Sequence, residues 1–240
     1  HIWPPSLPAS MNILMLVHRI PFPPDKGDKI RSFHQLKYFR ELGWKVHLCT
    51  FVDDPGDQKH VADLGEFCET LAVFPFSPIR QKLAMALALM QRKPLSVAAF
   101  YLRKAQRHVD QILANYPIQA IFCFCAPMAE YIFKSSSNRQ ILYSSNHNES
   151  TNNESTNPRI HESPNPRIHE STNNESTNPP KTIMDLVDVD SEKWSLYADH
   201  NTGLKHWIYN LEHTRLAEYE KAITRFFSGT VLVSEAEAGL

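Results

Sequence analysis

The sequence predicts an α/β fold: a parallel sheet of about six strands with helices on both faces. Three observations carry this. Short runs that are apolar on successive residues recur along the chain, as strands covered on both faces require. Stretches with helical periodicity separate these runs, the alternation that builds parallel sheets. The chain has 240 residues, 42% of them hydrophobic, which is ample for a buried core.

The elements follow in order. Asn12 to His18 is a continuous apolar run that opens the domain as a buried strand. Pro21, Pro23 and Pro24 then stiffen an extended loop. Asp28 is placed to cap the next helix, on which Ile30, Phe33, Leu36, Phe39 and Leu42 form a wide apolar arc. Gly43 ends that helix in the C′ role. Lys45 to Val52 reads as the second strand, a helix follows near Lys59 to Cys68, and Thr70 to Phe74 reads as the third strand. Arg80 to Gln91 and Ala99 to Tyr116 read as helices on either side of Pro94. Gln119 to Cys125 is the fourth strand, and Pro127 to Phe133 starts another helix. Thr182 to Val187 is the fifth strand. Leu204 to Phe227 is a long helix with Leu204, Ile208, Leu211, Tyr219, Ile223 and Phe226 on or near one face. Thr230 to Val233 is the sixth strand, and Ser234 to Glu237 caps and starts a last helix.

Composition removes several function classes. A formal net charge of -1 leaves no electrostatic footprint for nucleic acid. The seven glycines contain no G-x-G, which excludes a dinucleotide fingerprint and a Walker A loop. The longest strongly apolar stretch, Leu83 to Met90, is far short of the roughly 20 residues that span a bilayer. Cys49, Cys68, Cys123 and Cys125 form no C-x-x-C pair and sit in apolar runs. Buried reduced thiols in a cytoplasmic protein fit them better than a disulfide or a zinc site.

Two stretches are expected to lie outside the fold. Residues 1–10 form a Pro-rich leader before Met11 with no apolar h-region, so no secretory signal is expected there. Asn146 to Pro180 has 35 residues and two apolar members, Ile160 and Ile168, too few to offset its ordering entropy. Its text repeats. Asn157 to Ser163 recurs as Asn165 to Ser171, and Asn-Glu-Ser-Thr-Asn starts at Asn148, Asn153 and Asn174. Asn-Pro-Arg-Ile-His-Glu-Ser-Thr is what the DNA octamer AATCCACG encodes when written three times in tandem. The segment therefore reads, as a hypothesis, as a translated tandem repeat inserted into an older coding sequence. Codons scattered among synonyms at the locus would refute it. His161 and His169 lie too far apart in a polar tract to argue for metal, and the Asn-Glu-Ser sequons are expected to stay unmodified. The resulting division is a leader at 1–10, the first part of the domain at 11–145, the insert at 146–180 and the rest of the domain at 181–240.

In parallel sheets ligands bind at the carboxyl ends of strands, which points to the loops after the first, fourth and fifth strands. The first loop runs from His18 to Arg31. Gly27 lets a ligand approach the backbone, and Lys26, Lys29 and Arg31 gather positive charge where a helix begins. That is an anion or phosphate pocket, or else a solvated basic helix start capped by Asp28. The second region is Asp185 to Trp194. Its carboxylates can bind metal, orient hydroxyl groups or cap the next helix through Asp190. The ligand counts that metals need favour hydroxyl contact or capping.

These residues also carry a resemblance. The stretch MNILMLVHRIPFPPDKGDKIRSFH (Met11 to His34) resembles the start of glycosyltransferase family 4 proteins. It looks most like the sugar transferases associated with the PEP-CTERM/exosortase exopolysaccharide system. VHLCTFVDD from Val46, LVDVDSEKW from Leu186 and VLVSEAE from Val231 are similar to the same family. The likeness covers Met11 to about Arg139 and Thr182 to Leu240. It is specific at the first and third of these motifs and generic elsewhere.

The resemblance implies a GT-B fold, two Rossmann-like domains facing across a cleft, of which this chain holds the N-terminal, acceptor-binding one. The implied acceptor is a saccharide or lipid-linked saccharide, and the implied donor is a nucleotide sugar bound by a C-terminal domain expected to be absent here. No cofactor, metal or nucleic-acid partner is expected. The location implied is cytoplasmic, with peripheral association at the inner face of the plasma membrane. Carried onto this chain, Gly27, Lys29 and Arg31 would line the cleft near donor phosphate or acceptor. Asp188, Asp190 and Lys193 would lie beside the acceptor. His18 is a cleft-facing candidate or else a helper or structural residue, Arg19 and Asp28 of the same loop are expected with it among the substrate-binding residues, and no catalytic base is assigned. The competing readings are a non-enzymatic product of a disrupted gene, or half of another GT-B enzyme such as a nucleotide-sugar epimerase.

Overall fold

The computed structural model describes residues 10–135 and 179–232. The expectations for the leader up to residue 9, for the insert up to Asn178, for Val233 and for the helix start at Ser234 lie outside the described residues.

Six strands form one sheet: β1 (Asn12–Val17), β2 (Lys45–Val52), β3 (Thr70–Pro75), β4 (Ile118–Phe124), β5 (Lys181–Val187) and β6 (Gly229–Leu232). Their order is β3-β2-β1-β4-β5-β6, and every neighbouring pair is parallel. The fold is thus the Rossmann-like α/β arrangement that the apolar runs predict. The helices are α1 (Gly27–Glu41), α2 (Val61–Gly65), α3 (Pro78–Gln91), α4 (Leu95–Phe100), α5 (Arg103–Asn115), α6 (Ala129–Phe133), α7 (Asp190–Asp199) and α8 (Gly203–Phe226). Among the described residues no helix is long and apolar enough to cross a membrane.

Strand alternation divides the core between two faces. Leu14 and Leu16 of β1 join Val109 and Ile112 of α5 and Leu216 and Ile223 of α8. Ile13, Met15 and Val17 join Leu36 and Phe39 of α1 and the neighbouring Trp44 on the other face. Each fully buried aliphatic chain contributes about 2 kcal/mol by leaving water, which is why β1 is apolar at every position after Asn12.

Four local expectations are corrected. Asp28 does not cap α1. Lys26 holds the N-cap position without a side-chain bond, and Asp28 sits within the first turn. The predicted arc holds at Leu36 and Phe39, but the inward face of α1 starts with the buried Lys29 and Ser32, while Ile30 is 42% exposed. An ammonium can take an inward position because Asp57 and Asp25 hold it there, at 2.8 and 3.1 Å. The region around Lys59 to Cys68 is a 3₁₀ turn (Pro55–His60) leading into the short α2, with the Asp54 carboxylate accepting from the Gly56 N–H at 2.9 Å.

The helix expected over Ala99 to Tyr116 is two helices with a break at Tyr101 and Leu102, both extended. The Tyr131 hydroxyl bridges the break. It accepts from the Leu102 N–H at 2.8 Å and donates to the Phe100 carbonyl at 2.7 Å. A distant side chain satisfies the backbone groups that the break frees, and periodicity carries no trace of it. Gly43 does end α1 as predicted, at φ 78°, a conformation glycine adopts without steric cost.

Candidate functional site at the strand ends

Strand order reverses between β1 and β4, the point where open α/β sheets leave a crevice at their carboxyl ends. A cavity of about 390 Å³ opens there. His18 and Arg19 enter it from the end of β1, Cys125 and Pro127 from β4, and Leu186, Val187 and Asp188 from β5. Asp190, Lys193 and Trp194 of α7, Asp28 of α1, and Ser96 and Phe100 of α4 complete the wall.

Two lining residues have strained backbones. Cys125 stands at φ 70° and ψ 150°, and Val187 at φ 67°, where side chains with a Cβ are disfavoured. Such conformations cost about 1–3 kcal/mol each and persist only where the surroundings hold them. Here Asp185 does the holding. Its carbonyl accepts from the Cys125 N–H at 2.8 Å, and its carboxylate accepts from the Val187 N–H at 3.0 Å. The β5–β6 register also shifts between Asp185 and Val187. Asp185 is fully buried and fixed in turn by Arg31, which donates twice at 2.9 Å, and by Gln35 at 2.6 Å. Alternation places Asp185 on the same sheet face as Ile183, toward α1, which is how it meets Arg31.

Charged groups gather in two clusters. Arg19 donates to Asp28 at 2.7 Å and to Asp53 at 2.9 Å, while His18 Nε2 lies 3.4 Å from Asp28. The hydrogen bond from His18, together with the Arg19 charge, holds the Asp28 carboxyl well below the usual carboxylate range. Lys193 reaches Asp190 at 2.8 Å and Asp188 at 3.3 Å. Burial pulls the Lys193 ammonium down, and the two carboxylates outweigh it and raise it. The His18 ring stacks on Phe124 and meets the edge of Phe100, with centroids at 5.9 and 5.7 Å.

Helix α8 supports this wall from behind. Glu212 accepts from the Ser96 N–H at 2.9 Å and from its hydroxyl at 2.6 Å, capping α4. Glu220 accepts from the Ser191 N–H at 3.3 Å and from its hydroxyl at 2.5 Å, capping α7. Burial pushes the Glu220 carboxyl up to about 7 against the opposing effect of those bonds, and the nearby Asp190 charge adds to the rise.

Of the residues singled out from sequence, His18, Arg19, Asp28, Asp188, Asp190 and Lys193 are brought together on this cavity. Gly27, Lys29 and Arg31 are not among its lining residues. Gly27 begins α1 with open space where a Cβ would stand. Lys29 is buried between Asp57 and Asp25, and Arg31 is engaged by Asp185. Ser96 and Phe100 were missed because the break that frees α4 leaves no local signal. Cys125, Val187 and Trp194 lay within recognised loops, and only their geometry distinguishes them. Among the described residues no group of three or more His, Cys, Asp and Glu is placed to hold a metal ion. Comparison with protein-family models, with curated proteins and with solved structures finds no match to this chain.

Proposed function

We propose that the strand-end cavity binds a saccharide or lipid-linked saccharide acceptor. In this reading the chain is the acceptor-binding half of a retaining, metal-independent glycosyltransferase of exopolysaccharide biosynthesis. The observation that carries it is the composition of one wall at the switch point: ion-paired Asp188, Asp190 and Lys193 beside Trp194. Carboxylates accept from sugar hydroxyls, an ammonium donates to them, and an indole packs against the C–H face of a pyranose. Arg19, Asp28 and His18 offer a second such cluster on the same cavity. The strained Cys125 and Val187 support a functional site at this position. The resemblance of Met11 to His34 and Leu186 to Trp194 to family 4 glycosyltransferases supports the reaction class.

In the complete enzyme a second α/β unit would hold the nucleotide-sugar donor. Fixed positive groups would stabilise the departing pyrophosphate, and closure would exclude water. The residues described here would orient the acceptor hydroxyl.

The test is NMR titration of the whole chain with lactose, cellobiose and N-acetylglucosamine disaccharide. Shifts of the Trp194 indole and the 188–193 amides, weakened in Asp190→Asn, are expected. Absence of any saccharide-dependent shift would overturn the acceptor reading. Turnover of a nucleotide sugar by this chain alone would overturn its assignment as half of an enzyme.

A further inference from the structure

Helix α3 packs one side against α4, and hydrogen bonds hold both of its ends. At its C-terminus Arg215 of α8 donates to the carbonyls of Ala88, Leu89 and Lys93 at 3.1–3.2 Å. Near its N-terminus Arg80 donates to the Tyr101 carbonyl at 3.1 Å. Ala88 is its one fully buried residue. On the outer side Ile79, Leu83, Leu87 and Met90 are 74%, 68%, 54% and 83% exposed. Their spacing puts all four, with Ala86, on about one third of the helical wheel. Lone exposed apolar residues need no explanation, whereas four on one face of one helix mark a contact surface.

Charge indicates what that surface meets. From Thr70 to Val109 the sequence has seven Lys and Arg and no Asp or Glu, in a chain whose totals are 25 and 26. All seven cations are exposed. Arg80 and Lys82 fall on either side of the apolar stripe. Arg80, Lys93, Arg103 and Lys104 line a cavity of about 620 Å³ whose wall includes Leu87 of the stripe. Glu130, the one acid lining that cavity, is paired with Lys134 at 2.6 Å, and α3 itself carries no acid. An apolar stripe edged by cations complements an anionic head-group layer over acyl chains. Fourteen residues make a helix about 21 Å long, too short to span and long enough to lie in the interface. The other exposed large apolar residues are spread in pairs over three helices that each carry acidic residues, Ile30 and Tyr38 on α1, Leu196 and Tyr197 on α7, and Leu204 and Trp207 on α8, so their charge does not select the same partner.

We propose that α3 is a membrane-surface helix that docks this chain on an anionic phospholipid bilayer. Ile79, Leu83, Leu87 and Met90 enter the acyl boundary, while Arg80, Lys82, Lys93, Arg103 and Lys104 meet head-group phosphates. The proposal does not depend on what the strand-end cavity binds.

Co-sedimentation of the whole chain with vesicles tests it. Binding is expected to phosphatidylcholine vesicles containing 30% phosphatidylglycerol. It should fall at least about tenfold on pure phosphatidylcholine or in 0.5 M salt, where surface charge is screened. Leu83→Glu/Leu87→Glu should abolish it with an unchanged circular dichroism spectrum, because both positions are exposed. Lys82→Glu/Arg103→Glu should weaken it at least about tenfold, and Leu204→Glu should leave it unchanged. Equal binding to both vesicle types, or full binding by the Leu83/Leu87 variant, would overturn the proposal. So would a dimer that this variant dissociates while vesicles capture nothing, which would make the stripe a self-association face.

Discussion

Glu220→Gln is the substitution that most directly tests the physics behind the strand-end site. Glu220 is buried, caps α7 through Ser191, and has its carboxyl pushed up to about 7 from an ordinary 4.5. A carboxyl raised in the native state holds its proton more tightly there than in the unfolded chain. Its contribution to stability is therefore full below about 4.5 and is lost as pH rises through about 7. The gap corresponds to about 3 kcal/mol at 25 °C. Glutamine keeps the shape and an acceptor for Ser191 but cannot ionise. Near pH 5 the two proteins should differ little, and by pH 9 the variant should be favoured by roughly 6–12 °C in Tm for a domain of this size. Thermal unfolding followed by circular dichroism at intervals from pH 5 to 9 gives the comparison. Parallel curves for the two proteins, or a variant that loses ground as pH rises, would refute the assignment of a buried, protonatable Glu220. Because the Asp190 charge helps raise Glu220, Asp190→Asn should shift the wild-type transition to lower pH.

Arg31→Leu strands the buried Asp185 carboxylate and should cost about 3 kcal/mol, read from urea unfolding; a loss below 1 kcal/mol would mean that Gln35 and the Val187 N–H suffice. Tyr131→Phe removes the hydroxyl that bridges the α4–α5 break, and should cost about 2 kcal/mol by leaving the Leu102 N–H and Phe100 carbonyl without it. Burial pushes the Cys49 and Cys68 thiols up to about 12 and also raises those of Cys123 and Cys125. All four should react slowly with Ellman's reagent at pH 8 in the native protein and promptly after unfolding in guanidinium; a fast native thiol at position 123 or 125 would contradict that packing.

The sheet was legible because a strand covered on both faces is mostly apolar, as β1 is after Asn12, β4 is after Gln119, and β2 is apart from Lys45 and the buried His47 and Thr50. The strand-end loops were legible for the same reason, since order along a parallel sheet dictates where crevices form. Individual side chains were not. Lys29 and Arg31 look in sequence like Arg19 and Lys193, basic residues near a helix start. Lys29 and Arg31 turn instead toward carboxylates on the sheet side of α1. The apolar arc on α1 failed at Ile30 because an ion pair, not hydrophobic periodicity, occupies the start of its inward face.

The sequence alone thus determined the α/β class, the strand positions, the exclusion of glycine-rich phosphate loops, and the three strand-end loops whose residues reach the cavity. The tertiary structure decided which charges are available there. Arg31 and Asp185 are 154 positions apart, and Tyr131 completes a helix break 29 positions before it. Local periodicity reports only on neighbours within a few residues. A charge is used up or left free by partners that the chain brings together only when the sheet closes around its switch point.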